Sequence, residues 1–165
     1  MAASIPEFRA LVADGSTHMA GLVTLMLRSL GIRAVDEASS LAKADEMLAR
    51  RPYGLVLLDD QLAGTAGLAM VRSLRQSPDH PNRLSAIIMM AAAPDAALIA
   101  AARDAGVTEF LRKPFSAHHI ELRLEAIRNA PRDFVEAPAY AGPDRRRRTV
   151  GGRPRRRAAD GNPAA

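Results

Sequence analysis

The sequence predicts a doubly wound α/β domain, with a five-stranded parallel sheet, followed by a disordered arginine-rich C-terminal tail. Three observations predict it. Strand-like apolar runs and helix-like patterns alternate five times between residues 8 and 130, which requires a parallel sheet with helices on both faces. The third run, Leu55-Val56-Leu57-Leu58, is wholly apolar and closes on Asp59-Asp60, as expected of a central strand buried on both sides. After Pro131 the periodicity is lost. Pro131, Pro138, Pro143 and Pro154, with Gly142, Gly151 and Gly152, stop any continuing helix. Residues 131–165 are therefore expected to be disordered when unbound. Right-handed crossovers then give the flavodoxin-like order, with the site at the carboxyl ends of the strands.

Each element has a local reason. Phe8 to Ala13 is a short apolar run ended by Asp14-Gly15. Ser16 or Thr17 caps a helix in which Met19, Leu22, Met26 and Leu30 recur at helical spacing before Gly31. Ile32 to Ala38 reads as the second strand. Ser39 or Ser40 caps a helix carrying Leu41, Ala44 and Leu48, stopped before Pro52. After the third strand, Gly64 and Gly67 mark a loop, and Leu68, Val71, Leu74 and Arg75 continue as a helix to Ser77-Pro78. Ser85 to Met90 is the fourth strand. Pro94 opens a helix through Asp104, with Gly106 behind it. Val107 to Leu111 is the fifth strand. Lys113-Pro114-Phe115-Ser116 leads to a last helix with Ile120, Leu124 and Ile127 inward.

Charge divides the chain at the same boundary. Of 165 residues, the first 130 hold as many acids as bases, and the remainder supply the whole net charge of +5. A neutral body with a basic end points to an anionic partner: nucleotide, nucleic acid, acidic protein or membrane surface. The chain has no cysteine, so neither disulfides nor thiol chemistry enter. The N-terminus lacks the pattern of a signal peptide, and no apolar run approaches membrane-spanning length. The expected location is cytoplasmic. No nucleophile–base constellation or phosphate loop appears, so no enzymatic activity is expected. His118 and His119 lie early in a helix, where adjacent residues point apart.

The strand-terminal Asp59, Gly67, and Phe110-Leu111-Arg112-Lys113-Pro114-Phe115 resemble the CheY-like receiver domains of response regulators over about residues 8–130. The resemblance implies a phosphoacceptor at Asp59, an acidic partner at Asp14 and a phosphate-binding lysine at Lys113. It also implies Mg²⁺ held by Asp14 and Asp59, an ion that takes oxygen ligands in near-octahedral geometry. The sequence departs from the pattern at several places. The second acid of the pair is Ala13, the hydroxyl position is Ala91, the switch aromatic is Phe110, and the loop after the acceptor has Ala63 and Ala66. One carboxylate fewer weakens any Mg²⁺ site, and the missing hydroxyl removes the group that reports phosphorylation. A degenerate receiver with another input is expected.

The tail supplies a candidate for that input. Tyr140-Ala-Gly-Pro-Asp144-Arg145-Arg146-Arg147-Arg148, with Arg153, Arg155, Arg156 and Arg157 downstream, uses arginine and no lysine. The guanidinium adds a planar fork that pairs bidentately with guanine O6/N7 and with phosphate. Behind a receiver, this segment is similar to that of the Cle group of CheY-like regulators. That resemblance implies that the tail binds cyclic di-GMP, as a single molecule or an intercalated dimer. It implies a flagellar motor switch protein as partner, recruitment to the motor at the cell pole, and effects on motility and surface attachment. A monomer is expected. Asp144 can accept from the guanine N1–H and N2–H₂ edge, and Tyr140 can stack on a guanine or pack back on the body with Phe134 and Val135. Two alternatives stand beside this reading. One is a nucleic-acid-binding tail, for which Gly152-Arg153-Pro154-Arg155 resembles half of a minor-groove hook. The other is an ordinary phosphorylated regulator whose tail is incidental.

Overall fold

A computed structural model describes residues 8–146. The elements run β1 (Arg9–Ala13), α1 (Thr17–Ser29), β2 (Ala34–Ala38), α2 (Leu41–Arg50), β3 (Leu55–Asp59), α3 (Asp60–Gln76), β4 (Ala86–Ala91), α4 (Ala96–Ala105), β5 (Glu109–Arg112), α5 (Ala117–Asn129), β6 (Phe134–Ala137) and β7 (Tyr140–Pro143). The first five strands form one parallel sheet in the order β2-β1-β3-β4-β5. This is the doubly wound sheet expected. Side chains alternate between its faces because the strand period is two. Leu11, Val56, Leu58, Ile87 and Met89 enter a core with α2, α3 and α4. Val12, Leu55, Leu57, Ile88 and Met90 enter a second core with α1 and α5.

The caps follow the polar residues at the helix starts. Ser16, Ser40, Asp59 and Asp95 each accept from the backbone N–H of the third residue on, satisfying one of the free amides of a helix start. The expected loop across Gly64 and Gly67 is corrected: helix runs from Asp60 to Gln76, broken only at Gly64. There φ is 50° and ψ −154°, a conformation open to glycine and costly for a side chain. Helical turns on both sides of the break hold Asp59 at the entry to α3.

A buried polar knot fixes the bottom of the sheet. The Asn82 side chain donates to Leu48 O and Arg51 O and accepts from Tyr53 N and Ser85 Oγ. The Tyr53 hydroxyl donates to Asp36 (2.9 Å), and burial, followed by that bond, pushes its pKa up to about 12. His80 Nδ1 accepts from Asn82 N (3.1 Å). Burial lowers the His80 pKa, with Asp45 acting the other way. The folded state thus holds this imidazole neutral while the unfolded chain takes up a proton first. Its contribution to stability is complete above the unfolded value near ~6.5 and is lost as pH falls through the folded pKa. Urea unfolding across that window should show stability falling with acidity, and less steeply in His80→Asn.

The largest departure lies after α5. The segment expected to be disordered from residue 131 is instead ordered through its first part, as an antiparallel hairpin. Phe134 pairs with Pro143, Val135 with Gly142, Glu136 with Ala141 and Ala137 with Tyr140. Proline and glycine excluded a helix but not a hairpin, because Pro138-Ala139 forms the turn and Pro143 lies at the strand end. An isolated hairpin is marginal in water, so this one depends on its seat. β7 packs on α3 and α4. Its Ala141 O and Gly142 lie against Gly106, where an added Cβ would meet Arg75 Cγ at 2.8 Å. Arg83 stacks on the Phe134 ring and pairs with Glu136. No helix among the described residues is long and apolar enough to cross a membrane.

Candidate functional site

The carboxyl ends of β1, β3 and β5 bring together the three residues expected there. Lys113 Nζ lies 2.6 Å from Asp59 Oδ1 and 3.2 Å from Asp14 Oδ2. Both acids are nearly buried, at 3% and 6% exposure. Burial alone would lower the Lys113 pKa, but the hydrogen bonds and charges of Asp59 and Asp14 outweigh it, and the net shift is upward. The raised ammonium keeps its stabilising contribution below the usual lysine value and loses it only above the folded pKa. It is charged at any physiological pH.

The remaining carboxylate oxygens are engaged as well. Asp59 Oδ2 accepts from Leu62 N (3.1 Å), and Asp14 Oδ1 accepts from Ser16 N (2.8 Å). Every oxygen of the two acids therefore has a protein donor, and the ammonium lies where it bridges both. Ala13 and Ala91, each fully buried, add no ligand. Among the described residues no group of three metal-ligating side chains forms. These residues fit Mg²⁺ poorly, because a cation would have to displace Lys113 from Asp14 and Asp59. The cleft beside them is open, about 390 Å³, and lined by Asp14, Asp59, Asp60 and Lys113 among others. Just past β4 the cleft meets Ala92, and the buried Ala91 at the strand end brings no hydroxyl, so no side chain there can follow a phosphoryl group.

The tail residues begin at the other face. Tyr140 is buried at 8% exposure, and its hydroxyl donates to Pro143 O. Burial raises its pKa, with Arg145, Arg75 and Arg132 opposing. The structure therefore realises the packed-back role, though against α3 and α4 through β7. Arg145 covers the ring, its guanidinium carbon 4.6 Å from the centroid. It also reaches Asp104 Oδ1 on α4 (2.7 Å). Asp144 is tied at both ends: its N–H donates to Asp133 O (2.7 Å) and its Oδ1 accepts from Arg146 N (3.0 Å). Arg147, Arg148, Arg153, Arg155, Arg156 and Arg157 lie outside the described residues.

A third feature was not anticipated. Between α4, β5 and α5 runs a groove of about 450 Å³ lined by Arg103, Arg123, Arg132 and Arg145, with Glu109 and Phe110. Arg132 pairs with Glu109 (3.0 Å), and Arg123 Nε donates to Phe110 O (2.8 Å). Arg145 opens the arginine run, but Arg103, Arg123 and Arg132 are scattered along the sequence, so no run or spacing announces those three. The paired histidines do other work: His119 Nδ1 accepts from Ser116 N at the start of α5, and His118 lies beside Glu121.

The response regulator receiver domain model matches residues 10–125, the span that carries this sheet and the Asp14–Asp59–Lys113 cluster. The chain belongs to the response regulator receiver family. A receiver of two-component signalling is thus its established class. It is similar to the transcriptional regulatory protein ResD of Bacillus subtilis, 31% identical over 124 residues, which are 73% of this chain and 48% of ResD. The chain therefore spans about half the length of that relative. It is also similar to a probable chemotaxis protein CheY of Rhizobium etli, 23% identical over 121 residues, covering 73% of this chain and 92% of that protein. Among solved structures, chemotaxis protein CheY4 of Vibrio cholerae superposes with a TM-score of 0.65 at 18% identity, over 73% of this chain and 98% of that one. That likeness carries the receiver fold. The matched span ends before β6, so the hairpin and the arginine run are additions to the receiver.

Proposed function

We propose that this receiver is a cyclic di-GMP effector of the Cle group. Its arginine run folds around the dinucleotide, and the body then acts on a protein partner, the flagellar motor switch. The observation that carries the reading is the anchored head of that run. Asp144 is held by Asp133 and by Arg146, directly beyond a hairpin seated on the body. In sequence one carboxylate thus heads a run of four arginines, and an acceptor beside donors suits guanine better than it suits a simple polyanion. The acceptor cluster supports it indirectly. With its carboxylates saturated and its hydroxyl missing, phosphorylation has little leverage on the surface.

The mechanism is ordering on binding. Arg145 leaves Asp104 or shares its fork with the ligand, and the following arginines close on phosphates and guanine edges. Ordering a segment typically costs about 2–5 kcal/mol of the interaction energy, which charge-assisted contacts must exceed. The α4–β5–α5 face lies beside the start of the run, so an ordered tail alters what that face offers a partner.

Calorimetric titration at physiological salt tests the proposal. Cyclic di-GMP should bind, cyclic di-AMP should not, and Arg145→Ala with Arg146→Ala should weaken binding at least tenfold. Equal binding of both dinucleotides would reduce the run to a polycation. A second reading, signalling through phosphorylated Asp59, is favoured by the Asp59–Lys113 contact. It predicts that Asp59→Asn abolishes output, whereas the effector reading predicts unchanged dinucleotide affinity in that variant.

A further inference from the structure

We infer that the groove between α4, β5 and α5 is the fixed half of the ligand site, a guanidinium cradle that seats a phosphodiester of the dinucleotide. The inference rests on the effector reading and adds body residues that the arginine run does not contain.

Four guanidinium groups face this one opening, against the single carboxylate of Glu109 among its lining. Two of them are already neutralised, Arg132 by Glu109 and Arg145 by Asp104. The other two are not. Among the described residues Arg103 and Arg123 have no carboxylate partner, and the contact of Arg123 is to the neutral carbonyl of Phe110. That bond fixes the Arg123 stem through Nε and leaves its terminal nitrogens to donate. An oriented guanidinium loses less entropy on meeting phosphate than a free one and can donate in pairs.

The volume, about 450 Å³, lies within the range of small-molecule sites. The walls are firm, because Arg103 and Arg123 stand on helices and Glu109 and Phe110 on a strand. The groove also contrasts with the acceptor cleft, which is similar in volume but lined by three carboxylates, Asp14, Asp59 and Asp60, against the single ammonium of Lys113. Arg145 belongs to both halves: it lines the groove and begins the arginine run. A dinucleotide with one phosphodiester against Arg103 and Arg123 would lie beside Arg145, which Asp144 and Arg146 flank in the chain. Charge in a walled cleft also raises the local anion concentration and the rate of capture.

The experiment titrates cyclic di-GMP into the full chain and into Arg103→Ala, Arg123→Gln and the double variant, with thermal unfolding of each. Amide shifts are followed in parallel. Arg103 is exposed, so its removal should leave the melting temperature unchanged. The expected result is a loss of affinity of about tenfold for each single change, with amide shifts at Arg103, Glu109 and Phe110 in the parent. Unchanged affinity in folded variants, with shifts confined to the tail, would overturn the cradle and leave the effector reading intact. Failure of the parent to bind would overturn both. Poly-glutamate shifting the groove amides where the dinucleotide does not would make the groove a protein-docking face and defeat the inference.

Discussion

Replacing Arg75 with alanine lowers the stability of the domain by about 3–5 kcal/mol. Arg75 is fully buried on α3, and burial takes its pKa down to about 10, with Tyr140 acting in the opposite direction. It is still charged at neutral pH, yet none of its hydrogen-bond partners is a carboxylate. Nε donates to Gly106 O (3.1 Å), Nη1 to Arg83 O and Nη2 to Thr108 Oγ1. Truncation leaves a cavity, strands the buried carbonyl of Gly106 and removes the donor to the half-buried carbonyl of Arg83. It also loosens the hairpin from both sides, since Gly106 supports Ala141 and Gly142, and Arg83 holds Phe134 and Glu136. Urea unfolding measures the loss. Arg75→Met, which keeps most of the stem, separates packing from hydrogen bonding. A change below ~1 kcal/mol would show that the hairpin seat does not depend on this residue.

If the proposed effector role holds, Asp144→Ala should weaken cyclic di-GMP binding by roughly 5- to 150-fold, the equivalent of the ~1–3 kcal/mol that a two-point base contact supplies. Asp144 has a structural task too, because its Oδ1 accepts from Arg146 N and so sets the direction of the run. Asp144→Asn separates the tasks. Asparagine keeps the acceptor that makes the turn, but it lacks the second acceptor needed to take both guanine donors. If Asn restores full affinity, the carboxylate serves only the turn. If Asn is nearly as weak as Ala, Asp144 reads guanine. The change should hardly alter stability, because the residue lies past the hairpin and its other tie, to Asp133 O, is made by the backbone.

The elements that the sequence by itself determined are those governed by local period. Leu55 to Leu58, apolar and closed by two acids, read as a strand buried on both faces, and the five alternations with right-handed crossovers pointed to a doubly wound parallel sheet. Because such a sheet collects its strand ends at one edge, Asp14, Asp59 and Lys113 were legible as neighbours although far apart in the chain. What local pattern could not supply was decided by packing. Gly64 looked like a loop, but helical turns on either side outweigh one non-helical residue. Phe134 to Pro143 looked unstructured because a short hairpin has no stability of its own; Arg75, Arg83 and Gly106 supply it from elsewhere. Arg75 itself read as part of a helix without its partners, since they are carbonyls that any sequence carries. Arg103, Arg123 and Arg132 share no spacing with one another or with the run that begins at Arg145. Only the closure of α4 and α5 over β5 places their charges around one opening.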